Sequence, residues 1–174
     1  MSGLASEHTG EQVDGHWHHA DEVEVLTFNL GGETFALEAV CVQEILDLLP
    51  ETVVPGARPF VASVINFRGK VIPLADLRLA FGMSAAEPTI DSRIIVIELL
   101  LDDEPTLVGL RTDKVNETTT LSKEASEPPP SLGMRWRADY IDCVVKRGSD
   151  FIIIPNLKTL FSGADQRAPT AESN

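Results

Sequence analysis

Apolar and β-branched residues of this chain fall into short runs, and each run ends in residues that favour turns. Val23 to Leu30 and Glu33 to Leu37 flank Gly31-Gly32, which predicts a β-hairpin because two glycines supply the positive φ of a two-residue turn. This spacing of short runs and turns is typical of β-strands rather than of long helices.

Two more strand pairs follow the same pattern. The most apolar run, Arg93 to Leu101, is expected to pair with Thr106 to Arg111 through a turn at Asp102-Asp103-Glu104-Pro105, as a central antiparallel pair. Tyr140 to Val145 and Phe151 to Ile154 predict a last hairpin around a turn at Arg147-Gly148-Ser149-Asp150. About ten short strands indicate an all-β barrel or sandwich, since short strands must close or stack to protect their edges.

The segment from Val64 to Arg78 predicts a further hairpin, with apolar strands on both sides of Arg68-Gly69. Gly69 can take the positive φ of the turn, and Arg68 is expected to project from a rigid edge. A short helix should follow, capped by Asp76 and ended by Gly82. The predicted structural residues of the hairpin and its exit are Asn66, Gly69, Pro73 and Asp76.

For other segments the hydrophobic pattern gives a less definite prediction of secondary structure. Ala39 to Leu49 suits either a helix with one apolar stripe or a strand, and both readings stay open on the residues alone. Asp113 to Thr120 alternates like a strand, and Ser122 to Leu132 is a proline-rich connection that favours extended backbone. A short C-terminal segment is expected to end near Phe161.

Length, charge and cysteine content limit the classes of protein to which this chain could belong. The 174 residues suit one ordinary domain or two small barrels, and the formal charge of −13 argues against a nucleic-acid partner, which would need Lys and Arg. Cys41 and Cys143 are expected to be small buried hydrophobes in a reducing compartment, not a disulfide. Neither a signal peptide nor an apolar span of ~18 residues is indicated, so a cytoplasmic protein without membrane insertion is expected.

Both ends of the chain are polar and are expected to be disordered. Residues 1–21 form an acidic tail without Lys or Arg, residues 22–162 the folded domain, and residues 163–174 a flexible tail. His16-Trp17-His18-His19 and His8 could in principle bind a transition metal. Incidental histidines are favoured, because adjacent residues of a flexible chain do not preorganise a coordination sphere. No metal or cofactor is therefore predicted.

A search for catalytic motifs yields no phosphate loop, no nucleophile elbow and no histidine within the strand-rich body. Asp76, Asp113, Asp139 and Asp142 could be considered as an acid and base set. Aspartates beside turns and helix starts are more often caps, so the prediction is a binding protein and not an enzyme.

The order V-I-N-x-R-G-x-V-I-P-x-x-D-L-R, which begins at Val64, resembles the signature hairpin of the CheW-type coupling proteins of bacterial chemotaxis. Further matches occur in the family's order at Leu26-Thr27-Phe28, Phe35-Ala36-Leu37, Val42-Gln43-Glu44-Ile45, Pro59-Phe60, Val108-Gly109-Leu110, Asp113 with Val115, Pro128-Pro129-Pro130 with Leu132-Gly133, and Asp139-Tyr140-Ile141. The resemblance extends from Val23 to Phe161.

The resemblance implies two SH3-like, five-stranded β-barrels in one chain, with short helical segments. Between residues 39 and 49 it favours a short helical turn and then a strand with Val42 and Glu44. The implied partners are the cytoplasmic signalling tip of methyl-accepting chemoreceptors and the regulatory domain of a CheA-type histidine kinase. The implied receptor-binding residues are Val42, Glu44 and Arg68, together with Ser63, which stands where the family usually has glycine.

Two alternatives to this adaptor role remain at the level of sequence. The same scaffold could serve a pilus-motility or other non-flagellar chemosensory pathway, because the two contacts would be the same. A stand-alone β-barrel that binds a small ligand is also possible and would predict a closed apolar pocket. The adaptor role predicts recruitment to chemoreceptor arrays, whether membrane-associated or cytoplasmic.

Overall fold

The computed structural model describes residues 21–129 and 138–162, and nearly all regular structure in these ranges is β-strand. The strands there are β1 (Glu22–Leu30), β2 (Glu33–Glu38), β3 (Val42–Leu46), β4 (Thr52–Val53), β5 (Ser63–Phe67), β6 (Lys70–Asp76), β7 (Arg93–Leu101), β8 (Glu104–Thr112), β9 (Lys114–Ser122), β10 (Ser126–Glu127), β11 (Ile141–Arg147) and β12 (Asp150–Pro155). The short helices are α1 (Leu77–Ala80) and α2 (Leu157–Phe161), with 3-10 turns at Ala39–Cys41, Pro59–Val61, Lys123–Ala125 and Ala138–Tyr140. Within the described ranges no helix is long and apolar enough to cross a membrane.

The strands form two six-stranded sheets. The first barrel has the strand order β10-β11-β12-β2-β1-β9, and the second has β3-β7-β8-β6-β5-β4. In each sheet five strands have five or more residues, and the sixth, β10 or β4, has only two. The predicted pair of five-stranded barrels is confirmed. The chain starts in the first barrel, builds the whole second barrel and then returns, so the barrels are interleaved in sequence.

Three apolar clusters hold this arrangement together. Val25, Ala36 and Ile152 belong to the cluster inside the first barrel, and Ile65 and Ile72 to the one inside the second. A larger cluster lies between the barrels and takes side chains from both sheets; we call it the shared core. It contains a run of ring contacts, with centroids 5.1 to 6.4 Å apart, through Phe28, Phe35, Phe81, Tyr140 and Phe60. The two barrels therefore stabilise each other.

The predicted hairpins are confirmed, but two predicted turns are wrong in length. At the last hairpin Arg147 pairs with Asp150, so only Gly148 and Ser149 form the turn. Leu30 pairs directly with Glu33 across the glycine turn, as the sequence indicates. At the β7–β8 turn, however, only Asp102 and Asp103 lie outside the strands, because both take a positive φ, of 51° and 65°. Aspartate tolerates this left-handed conformation better than most residues. Pro105 therefore lies within β8, opposite Leu100, and not in the turn.

Substitution of Asp103 by glycine is expected to stabilise the protein by ~0.5 to 1 kcal/mol, since glycine adopts a positive φ without the steric cost that a side chain brings. Chemical denaturation followed by circular dichroism measures the change. Gly69→Ala is the matched control, because Gly69 also has a positive φ, of 83°, with open space around its α-carbon. It should destabilise the protein, and a loss of stability in Asp103→Gly would contradict the explanation.

Ala39 to Leu49 resolves as a 3-10 turn followed by β3, as the family resemblance implies. The connection after β9 contains the turn Lys123–Ala125 and the two-residue strand β10. Pro130, Leu132 and Gly133 lie outside the described residues. So do residues 1–20, with the His16-Trp17-His18-His19 segment, and residues 163–174; the expectations for both tails therefore stay predictions.

Candidate binding surface on the second barrel

The β5–β6 hairpin presents Arg68 on a tight two-residue turn. Arg68 and Gly69 both have a positive φ, of 54° and 83°, although the sequence indicated this only for Gly69. The Asn66 side-chain oxygen accepts a hydrogen bond of 2.9 Å from the Gly69 N–H, which closes the turn. Pro73 lies opposite Val64, and the pairing of β6 with β8 begins only at the next residue. The missing N–H of Pro73 therefore leaves no gap in that pairing.

A β-bulge in strand β3 separates two of the predicted receptor-binding residues. Val42 lies opposite Ile97, whereas Glu44 lies opposite Val96, so the register shifts by one residue between them. Residues two apart in a regular strand share one face, but this bulge directs Val42 and Glu44 to opposite faces. Val42 packs at the border of the shared core, and Glu44 points away from it.

Glu44 and Arg68 are joined by a salt bridge between the Arg68 Nη2 and the Glu44 Oε1. The Arg68 guanidinium also lies over the Phe67 ring, 5.1 Å from its centroid. Arg68 is 73% exposed and Glu44 34% exposed in this pair, so it contributes little to stability. Its consequence is geometric, because it brings the edge strand β3 and the tip of the hairpin together.

Ser63 does not belong to this cluster. It is the first residue of β5, pairs with Leu74 and Val53, and is buried. Five residues of extended chain separate it from Arg68, which corresponds to roughly 15 Å. Ser63 is not among the described residues with a positive φ, so serine carries no backbone strain at this position.

Exposed apolar side chains on β3 and in the turn before it were not predicted from the sequence. Ile45 follows Glu44 and pairs with Ile95 on the shared-core side of the sheet, yet 43% of it is exposed. Val40, in the turn before β3, is 56% exposed. Val42 lies between them, and we call these three residues the β3 apolar strip. The alternation of the V-x-E-I segment could have indicated Ile45, had the bulge been foreseen.

Of the four aspartates considered as an acid and base set, Asp76 and Asp113 lie near each other beside Arg78, whereas Asp139, in the 3-10 turn Ala138–Tyr140, and Asp142 belong to the first barrel. The Asp76 carboxylate accepts the Arg78 N–H at 3.1 Å and caps helix α1. Asp113 forms a salt bridge of 2.6 Å with Arg78. Asp142 lies in β11 of the first barrel, on the other sheet. The contacts of Asp76 and Asp113 are those of a helix cap and of an ion-pair partner.

Burial raises the pKa of Asp76 above its ordinary value of 3.8, and the nearby Asp113 raises it further, against the lowering effects of the Arg78 N–H and of Arg111 and Arg78. Because the native carboxyl binds its proton more tightly than the unfolded chain does, this group favours folding below pH 3.8. That contribution is lost as the pH rises through the native pKa. A carbon-detected NMR titration should give a midpoint above 3.8 for Asp76, and a midpoint at or below it would contradict the stated cause.

Neither of the two cysteines, Cys41 and Cys143, is in a disulfide. Cys143 is buried inside the first barrel, whereas Cys41 is half-buried beside the shared core. Burial, with the charges of Glu38 and Glu98, raises the pKa of the Cys41 thiol to about 11. The thiol therefore stays neutral and poorly nucleophilic at neutral pH.

Fold and surface together define a class: a two-barrel β-module whose edge strand and hairpin present an exposed ion pair and exposed apolar residues. Comparisons with known proteins agree with this class. A family model described as a CheW-like domain matches residues 24–165. The chain belongs to the CheW-like family.

Individual relatives are similar over most of the chain. Chemotaxis protein CheW of Rhizobium meliloti is 30% identical over 145 residues, which cover 83% of this chain and 91% of the relative. Chemotaxis protein CheW of Klebsiella aerogenes is 28% identical over 167 residues, covering 95% and 93%. The crystal structure of the scaffolding protein TtCheW from Thermoanaerobacter tengcongensis has a TM-score of 0.70 and 30% identity, covering 80% of this chain and 92% of that one.

Proposed function

We propose that this protein is a non-enzymatic adaptor of bacterial chemosensory signalling, which couples methyl-accepting chemoreceptors to a CheA-type histidine kinase. The observation that carries the proposal is the match of residues 24–165 to the CheW-like family. The names of the relatives support a role in chemotaxis, and the solved relative is described as a scaffolding protein. An adaptor needs two separate binding surfaces and no reactive group.

The receptor side of the proposal rests on the edge strand β3, which carries the β3 apolar strip and, on its other face, Glu44 with its salt bridge to Arg68. A chemoreceptor tip is a helical hairpin, and the apolar stripe of a helix can pack on Val42 and Ile45. The exposed Arg68 guanidinium, with several donors in one plane, can bind carboxylates, amides or backbone carbonyls of that helix. Glu44 is the ion-pair partner of this group on the second barrel.

Ser63 has a different part in the proposal. It is buried at the far end of β5, so it would act on the receptor through the position of the hairpin and not through contact with Arg68. The kinase contact is assigned to the barrel surfaces as a whole, without individual residues. Recruitment to chemoreceptor arrays, whether membrane-associated or cytoplasmic, would follow from the receptor contact.

The structure does not distinguish between chemosensory pathways, but it does bear on the ligand-binding alternative. A pilus-motility or other chemosensory pathway would use the same two surfaces, so partners from the same organism must decide between them. A ligand-binding barrel would need an open interior, whereas apolar side chains occupy the interiors of both barrels. This packing favours the adaptor.

NMR titration of the isotope-labelled protein with a receptor signalling-tip fragment tests the receptor surface. We expect the largest shift changes at Val42, Glu44, Ile45 and Arg68, with smaller changes near Ser63. Shifts confined to the first barrel, or the absence of shifts at ~1 mM fragment, where contacts of about −4 kcal/mol still appear, would overturn the assignment.

A further inference from the structure

The chain passes between the barrels at two places among the described residues. The first passage is the 3-10 turn Ala39–Cys41, between β2 of the first barrel and β3 of the second. The second passage is a single residue, Asp113, which stands between β8 and β9. Any change in the relative orientation of the barrels must therefore be accommodated at these two passages.

Asp113 is bonded to both barrels at once. Its Oδ2 accepts a hydrogen bond of 2.7 Å from the Gly31 N–H, at the tip of the β1–β2 hairpin of the first barrel. The same oxygen accepts one of 2.6 Å from the Arg78 Nη1, on α1 next to the second barrel. The Asp113 N–H donates to the Asn29 carbonyl at 3.0 Å. We call Gly31, Arg78 and Asp113 the passage latch.

The hairpin tip lies close to the segment that follows α1, and position 31 favours glycine both by this approach and by its backbone conformation. A β-carbon on Gly31 would lie 2.6 Å from the Met83 Sδ, and Gly31 also has a positive φ of 56°. The Arg78 side chain is held from its other side as well, since its Nε donates to the Ser84 carbonyl at 2.9 Å. Three separate features, a close approach, a shared acceptor and a doubly bound arginine, therefore meet at one passage.

The shared core and the passage latch act differently on the relative orientation of the two barrels. Apolar burial holds the barrels together, but it has no preferred direction. Hydrogen bonds need defined distances and angles, and a charge-assisted pair is the stronger kind. Arg78 and Asp113 are 19% and 37% exposed, so the pair is partly protected from water while its contribution to stability remains modest.

We propose that Arg78 and Asp113 are positioning residues for receptor binding: the passage latch fixes the orientation of the two barrels and thereby the alignment of the receptor surface. This inference rests on the receptor contact proposed above. Neither side chain needs to touch the receptor, because both act on the angle between the barrels.

The test compares Arg78→Met and Asp113→Asn with the unaltered full chain, by residual dipolar couplings and by calorimetric titration with a receptor-tip fragment. Asp113→Asn changes only the charge and keeps an acceptor oxygen, so it remains informative if Arg78→Met does not fold. Arg147→Met is the matched control, because Arg147 and its ion-pair partner Glu117, 3.6 Å away, both belong to the first barrel.

We expect the couplings of each barrel to fit that barrel's own structure, but the two barrels to lose their common orientation in both latch variants. Receptor-tip affinity should fall roughly fivefold or more, the lower limit for energetic coupling between sites. The control should change neither quantity. An unchanged orientation in both latch variants would overturn the proposal, and so would a changed orientation with full receptor affinity. If the unaltered chain itself fails to bind the receptor tip, the proposed function fails, while the orientation result still stands.

Discussion

Phe35→Ala is expected to destabilise the protein by about 3 to 5 kcal/mol, the usual cost of removing a fully buried aromatic ring. Phe35 is completely buried in the shared core. Its ring centroid lies 5.8 Å from that of Phe28 and 5.1 Å from that of Phe81, so one truncation removes contacts within the first barrel and contacts with the segment after α1. Urea denaturation should show a lower midpoint with a single transition, because the barrels share this cluster.

Phe151→Ala is the control for this prediction. Phe151 lies on β12 of the same barrel but is 49% exposed, so its truncation should cost less than ~1 kcal/mol. Two separate unfolding transitions in Phe35→Ala would show that the barrels are stabilised independently. If Phe35→Ala lowers the free energy of unfolding by no more than Phe151→Ala does, the central position of Phe35 in the shared core is refuted.

Arg68→Glu is expected to weaken binding of the receptor signalling tip by about tenfold or more, since charge reversal places two carboxylates together and repels what the guanidinium attracts. Arg68 is 73% exposed, so the free energy of unfolding should change by less than ~1 kcal/mol. Binding of the kinase regulatory domain should be unchanged. Calorimetry with each partner and a denaturation curve measure the three quantities.

Two further variants make this result specific. Arg147→Glu carries the same charge change on the first barrel, away from the β3 apolar strip, and should leave receptor binding intact. Combining Glu44→Arg with Arg68→Glu restores an ion pair of reversed polarity. It should not restore binding, because the receptor still meets the wrong charge. Recovery in this double variant, or equal loss of both partners in Arg68→Glu, would assign Arg68 to structure.

Local turn chemistry explains why much of the fold could be predicted. Gly31-Gly32 and Arg68-Gly69 marked their hairpins because few residues other than glycine adopt a positive φ without cost. The same rule failed at Asp102-Asp103, where two aspartates form the turn and no glycine signals it. The division into two barrels came only from the family resemblance, because no internal repeat is visible and the barrels are interleaved in sequence.

The candidate site was harder to predict than the fold. The sequence indicated Val42, Glu44 and Arg68, but it could not show that a bulge directs Val42 and Glu44 to opposite faces. The salt bridge between Glu44 and Arg68 depends on the meeting of β3 with a hairpin tip far along the chain, which no local pattern encodes. The contacts of Asp113 with Gly31 and Arg78 likewise depend on how the barrels pack.

The most direct test of the coupling role is whether one molecule of this protein holds both partners at once. The protein is first saturated with the regulatory domain of the CheA homologue from its own organism and is then titrated with the receptor signalling-tip fragment by calorimetry. We expect the kinase-saturated protein to bind the receptor fragment saturably, with nearly the same affinity as the free protein. Light scattering should then detect a ternary complex. Mutual exclusion of the two partners, or no binding of either at ~1 mM, would contradict the coupling role.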